Sequence, residues 1–225
     1  NNIIQYPFKY EPVILNNLGV LQHSTGDFIN SFQSFEKSMH YSQLTGNQRM
    51  EGFSLASIGD LYRDLSAFDE ASNAYQQALD IALISKDQFL IFYLKTVQAR
   101  LSIKNNQNIK AQMQLDAAQT IVDRSGSLYE INKLRLEQSV LDFWNEKFEN
   151  SAEALLLSAE FFKKAGYVED LTRNQLFLFL SFYKIGNFQQ SIEFLKFFLN
   201  QLSDPKYYVP SMTATMEIWK FLKQL

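Results

Sequence analysis

With 225 residues, 46% of them apolar, and no cysteine, the chain has ample material for a core but no thiol for a disulfide, a thiolate zinc site or a nucleophile. Its 21 Lys and Arg against 24 Asp and Glu give a net charge of −3, so there is no overall basic field to attract DNA or RNA. The densest apolar run, LFLFL at 176–180, is far shorter than the roughly 20 residues needed to span a bilayer.

The opening NNIIQYPFKY has neither signal-peptide character nor an initiating methionine, and we expect a fragment or a processed product. The four prolines stand at 7, 12, 205 and 210, leaving 13–204 free of the residue that most strongly breaks helices. Apolar residues recur there every three or four positions, as in IGDLYRDL and SIEFLKFFLNQL, which is the helical period and makes the chain all-α.

One offset, of about 40 residues, aligns almost the whole chain. Phe28, Phe68, Asn108, Phe148 and Phe188 share a register, and at the third position beyond each come Ser31, Ala71, Ala111, Ser151 and Ser191, all small. Phe35, Tyr75, Leu115, Leu155 and Leu195 follow after four more, then Ser38, Ala78, Ala118, Ser158 and Phe198 after three. Spacings of 3, 4 and 3 put these residues on one stripe of a helix, small where a neighbouring axis comes close and large where a hole is filled.

Upstream of each stripe a second helix is expected, clearest as Leu15, Leu18 and Gly19, then Leu55, Ile58, Gly59 and Tyr62. Gly26 and Gly186 suit tight turns within a hairpin, while Gly46, Lys86, Gly126, Gly166 and Lys206 mark unit boundaries just past helix C-termini. The predicted hairpins are 12–46, 47–86, 87–126, 127–166 and 167–206, with 207–225 a capping helix or half a sixth hairpin, all in one domain. Repeat three has Lys95 and Gln98 at apolar positions of its first helix.

These residues resemble the tetratricopeptide repeat family, best in repeat two through Leu55, Ile58, Gly59, Tyr62, Ala71, Tyr75 and Ala78, and over about 12–200 in all. The resemblance implies a right-handed superhelix, an α-solenoid, with the first helix of each hairpin lining a concave, non-catalytic binding surface for a peptide, a protein segment or a neighbouring domain. The units are longer than the family's usual length of about 34 residues, and in this they are similar to the repeat arms of bacterial MalT-like and antibiotic-regulatory transcriptional regulators. A sensor arm of such a cytoplasmic regulator, with partner domains outside this segment, is therefore the leading expectation, and a stand-alone cytosolic peptide receptor the alternative.

The candidate groove residues that the resemblance implies are Asn16, Asn17 and Val20 in repeat one, Phe53, Asp60 and Arg63 in repeat two, and Tyr93, Arg100 and Lys104 in repeat three. Lys133, Phe143 and Trp144 follow in repeat four, then Arg173, Phe177, Tyr183 and Lys184 in repeat five. Their mixed aromatic and basic character suits a ligand with acidic and apolar groups. The carboxylate clamp of chaperone-binding relatives is absent, its places taken by Asn16, Val20, Ser57, Tyr93 and Val97.

No catalytic residue, metal site or cofactor is expected. His23 and His40 have no metal-ligand spacing and read as solvent-facing or capping residues. Phosphate loops and nucleophile elbows are missing, and acid pairs such as Asp60 and Asp64 read as solvated faces. Of 33 aromatics, 15 lie at 161–225, where the final helix is expected to cover much of an aromatic surface formed by Phe194, Phe197, Phe198, Tyr207, Tyr208, Trp219 and Phe221.

Overall fold

A computed structural model describes residues 10–222, and among these every regular element is helical. The helices run α1 Glu11–Ser24, α2 Phe28–Thr45, α3 Gln48–Asp64, α4 Phe68–Ser85, α5 Gln88–Lys104, α6 Asn108–Ser125, α7 Leu128–Trp144, α8 Phe148–Ala165, α9 Val168–Ile185, α10 Phe188–Gln201 and α11 Tyr208–Leu222. The residues fall into two compact units, one ending at Gln98 and the other beginning at Ala99, within α5. In the first unit α1 pairs with α2 and α3 with α4; in the second α7 pairs with α8 and α9 with α10, and α11 follows them. Pro7 lies outside the described residues, as does the side chain of Phe221. No described helix is long and apolar enough to cross a membrane.

Each tight turn contains a residue in the left-handed region. Within hairpins these are Gly26, Ser66, Asn106, Glu146 and Gly186, with φ of 82, 63, 58, 62 and 85°. Between hairpins they are Gly46, Lys86, Gly126 and Gly166, at 68, 56, 61 and 75°. Lys206 breaks the series, because Pro205–Tyr207 is a 3₁₀ turn entered through Asp204. α2, α4, α6 and α8 are 18 residues long whereas α10 stops after 14. A proline where the last helical turn would run has no N–H to continue it, so the chain leaves α10 a turn early.

Within each hairpin the small-residue stripe forms the seam. Ser31, Ala71, Ala111 and Ser151 are all 0% exposed and Ser191 is 2% exposed. A Cβ added to Gly19 would lie 2.5 Å from the Phe35 ring, and one on Gly59 2.5 Å from the Tyr75 ring. The same register continues as Ala99, Ser139 and Phe179 on the first helices, opposite the Leu115, Leu155 and Leu195 register on the second. As the first-helix residue grows, the second-helix residue shrinks from an aromatic ring to leucine, which conserves volume at the crossing.

Serines tie the seam to backbone. Ser31 Oγ donates to the Gly19 carbonyl at 2.8 Å, and four repeats further on Ser191 Oγ donates to the Phe179 carbonyl at 3.1 Å. Successive hairpins also join in register. Ser38 and Ser54 share a hydroxyl hydrogen bond of 2.7 Å, and at the equivalent place Asn174 Nδ2 donates to Ser158 Oγ at 2.9 Å. Despite Lys95 and Gln98, α5 is helical throughout and buries Leu90, Phe92 and Leu94 completely.

Replacing Ala71 or Ala111 by Leu overpacks the seam and should cost about 1–3 kcal/mol in urea unfolding; a wild-type midpoint in both would contradict the register. Gly59→Ala should destabilise despite the roughly 1 kcal/mol gained in helix propensity, because the new methyl meets Tyr75. In Gly59→Ala combined with Tyr75→Leu, the loss should be smaller than the sum of the single losses by about 1 kcal/mol. Strict additivity in that cycle would show that the ring and the glycine are not coupled.

Candidate functional site

The first helices carry the polar residues that the seam leaves over. In the first unit, Asn16 is buried and accepts from Ser57 Oγ at 3.2 Å, while Asn17 and Val20 are exposed. Asp60 is the hub. Its carboxylate accepts from Tyr75 Oη at 2.7 Å, from Tyr93 Oη at 2.5 Å and from Arg63 Nη1 at 3.0 Å. Burial, and then the neighbouring Asp60 carboxylate, push the Tyr75 phenol well up, so it is held as a donor.

Arg63 is buried and also meets Asp64 at 2.7 Å, and Asp64 in turn lies 3.1 Å from His23 Nε2. These acids and His23 therefore form an internal cluster, not the solvated or capping positions expected from sequence. Phe53 is half-buried, stacked on Phe89 at 6.2 Å with the Arg49 guanidinium 5.3 Å from its ring.

In the second unit the candidate basic residues are brought together with carboxylates. Arg173, 1% exposed, makes a bidentate pair with Glu217 of α11 at 2.7 and 2.8 Å and reaches Glu137 with Nη1 at 2.7 Å. Lys133, also buried, lies 2.5 Å from Asp170 and 3.5 Å from Glu137. Arg100 meets Glu169 at 2.9 Å and Glu217 at 3.6 Å, and Lys104 Nζ donates to the Met216 carbonyl of α11 at 2.9 Å. Four cations thus face four carboxylates, and the set is neutral.

Burial works against every charge in this set, and pairing decides the outcome for most of them. Burial would lower the Lys133 ammonium and the Arg173 guanidinium, but their carboxylate partners raise both. Burial would raise the Glu217 carboxyl, yet Arg173 and then Arg100 hold it down at about 2. Glu137 is lowered in the same way, against burial, by Arg173 and Lys133. Asp170 is the exception, pushed up by burial that Lys133 offsets only in part.

Phe143 and Phe177 are core residues packed edge to face at 5.4 Å, with Trp144 half-buried beside Phe143. Tyr183 and Lys184 are exposed, and Lys184 Nζ lies 6.0 Å from the Phe148 ring. In the C-terminal aromatic region Phe198 is buried and Phe194 stacks on Phe182 at 5.6 Å, whereas Tyr208 and Trp219 remain 54% exposed. The carboxylate of α11, Glu217, is the functional residue sequence reasoning missed; the clue was its place two repeat units after Glu137.

An open cleft of about 570 Å³ between α6, α7 and α8 was also not foreseen; Asp116, Asp123, Asp142 and Arg135 line it. Among the described residues no group of three or more His, Asp or Glu side chains is placed to hold a metal ion.

Residues 10–83 match the family model described as tetratricopeptide repeat. No curated protein is significantly similar to the chain. Among solved structures, the fold is similar to that of BtubC (BKLC) from P. vanneervenii, with a TM-score of 0.61 and 15% identity over 86% of this chain and 80% of that one. It is also similar to a Signal Transduction ATPase with Numerous Domains (STAND) protein with a tetratricopeptide repeat sensor from Pyrococcus horikoshii, with a TM-score of 0.65 and 16% identity over 96% of this chain and 33% of that one. This chain therefore spans about a third of the length of the STAND protein. At such identities the likeness is one of fold, and with the match over 10–83 it gives the chain the architecture of tetratricopeptide repeat proteins.

Proposed function

We propose that the chain is a non-catalytic interaction scaffold whose first-helix face in the second unit takes an acidic, amphipathic helical protein segment. The observation that carries this reading is the helix already lying there. α11 packs along α9, presents Glu217 to Arg173 and Arg100, and accepts from Lys104 through a backbone carbonyl. Charge-assisted pairs of this kind are stronger than neutral hydrogen bonds, and the bidentate Arg173 pair adds geometric selectivity for a carboxylate.

The scaffold is read as one repeat domain in the cytoplasm, serving as the sensor arm of a multidomain bacterial transcriptional regulator. The similar fold of a STAND protein whose name includes a tetratricopeptide repeat sensor supports that context. The coverage of 80% of BtubC supports the second reading, a stand-alone receptor or adaptor of about this size.

The test uses a fluorescein-labelled peptide with the sequence of α11, YVPSMTATMEIWKFL. Full-length chain carrying Glu217→Ala, which weakens the intramolecular pair, should bind the peptide about tenfold more tightly than wild type, the size expected for one charge-assisted hydrogen bond. Adding Arg100→Glu and Lys104→Glu should abolish that gain while the melting curve shows a folded chain. Affinity unchanged by the two reversals would remove the first-helix face as the binding surface.

Acid provides a second check. The Glu217 carboxyl sits at about 2 in the folded chain, below the ordinary value of about 4.3. Its contribution to α11 docking is therefore complete above the ordinary value and is lost as pH falls through the folded one. In Trp144→Phe, emission from Trp219 should hold steady from neutral pH to about 4.3 and shift between there and about 2. A shift complete before pH falls below the ordinary carboxylate range would mean that the arginines do not hold Glu217.

A further inference from the structure

The two ends of the hairpin series expose apolar stripes that the same register positions bury elsewhere. On α1, Ile14 is 62% exposed and Leu21 61%. Their equivalents in the later repeats are Ser54, Leu94, Leu134 and Asn174, then Leu61, Leu101, Leu141 and Ser181, and all eight are at most 7% exposed. On α10, Leu199 is 51% exposed and Leu202 39%, whereas Ser42, Ala82, Val122 and Phe162, equivalent to Leu202, are at most 6% exposed.

Polar contacts identify what covers these positions inside the units. Ser54 meets Ser38 of the preceding second helix, Asn174 meets Ser158, and Ser181 Oγ donates to Ser151 Oγ at 3.1 Å. The α1 stripe is thus the side on which a preceding second helix sits, and the α10 stripe the side on which a following first helix sits. α11 leaves the α10 stripe open, because the turn at Pro205 ends α10 early and α11 lies along α9.

We infer that a second copy of this chain docks head to tail, the α1 stripe of one copy on the α10 stripe of the next. The two stripes are the halves of an interface that the hairpins already build internally, with the same repeat register and the same helix types. Ile14, Leu18 and Leu21 on one side and Ile192, Leu199 and Leu202 on the other are uncharged, so association removes apolar surface from water without stranding a charge. Because each face meets a different one, the contact is heterologous and a dimer keeps one open face of each kind. The assembly therefore grows beyond two chains.

Sedimentation of the full chain from micromolar to submillimolar concentration tests this. The weight-average mass should rise with concentration past that of two chains. Ile14→Glu with Leu21→Glu blocks one end, and Leu199→Glu with Leu202→Glu blocks the other. Each double variant should stay monomeric alone, with wild-type circular dichroism, and their equimolar mixture should stop at a dimer containing one copy of each.

Wild type that remains monomeric throughout overturns the inference and leaves these faces to other segments. A dimer that persists in either variant alone also overturns it, since that contact would be symmetric. If the variants lose their helical signal, wild-type mass against concentration still decides.

Discussion

The close approach of the two helices in each hairpin is the constraint on which the rest of the molecule depends. Gly19 and Gly59 let the rings of Phe35 and Tyr75 lie almost on the opposing backbone, and the stripe of Ser and Ala beside them closes the remaining gap. Once that distance is set, the serine hydroxyls reach first-helix carbonyls, as Ser31 and Ser191 do, and the buried hydroxyls are satisfied instead of stranded. A seam even one methyl wider would lose both the packing and these hydrogen bonds.

The seam also decides which residues are left to carry charge. It consumes one face of every first helix, so polar residues on another face are crowded against the next first helix. In the second unit this produces a buried set of Lys133, Glu137, Asp170, Arg173 and Glu217 in which nearly every charge has more than one partner. Buried ion pairs add little net stability over apolar packing, but losing one partner costs several kcal/mol. Such a set contributes specificity, because it selects neighbours that bring the right charge to the right place.

Much of the fold was legible because its determinants are local and periodic. The repeat offset marks the helices and the left-handed turn positions, and it tolerates Ser66, Asn106 and Glu146 in places where Gly26 and Gly186 are the obvious choice. Lys206 was misread because the register takes no account of Pro205, whose missing N–H changes the local structure. The candidate site was less legible, since the partners of Arg100, Glu169 and Glu217, lie two and three repeats further along the chain. Sequence spacing placed the basic residues on first helices, but only the packing of those helices reveals which carboxylates face them.

Neutrality of the second-unit set bears directly on how the face can work. With α11 in place, Arg173 has Glu137 and Glu217, and Arg100 has Glu169 and Glu217. If α11 leaves, each arginine keeps one carboxylate and the face gains a unit of positive charge in a site already shielded from water. The departure is therefore costly unless another carboxylate arrives, and a partner bringing an acidic residue on an apolar helix meets a surface already organised for it. Exchange of one such helix for another conserves charge and hydrogen bonds, so its free energy is a small difference between two similar terms. That is the condition under which modest changes in partner concentration can shift which helix occupies the face.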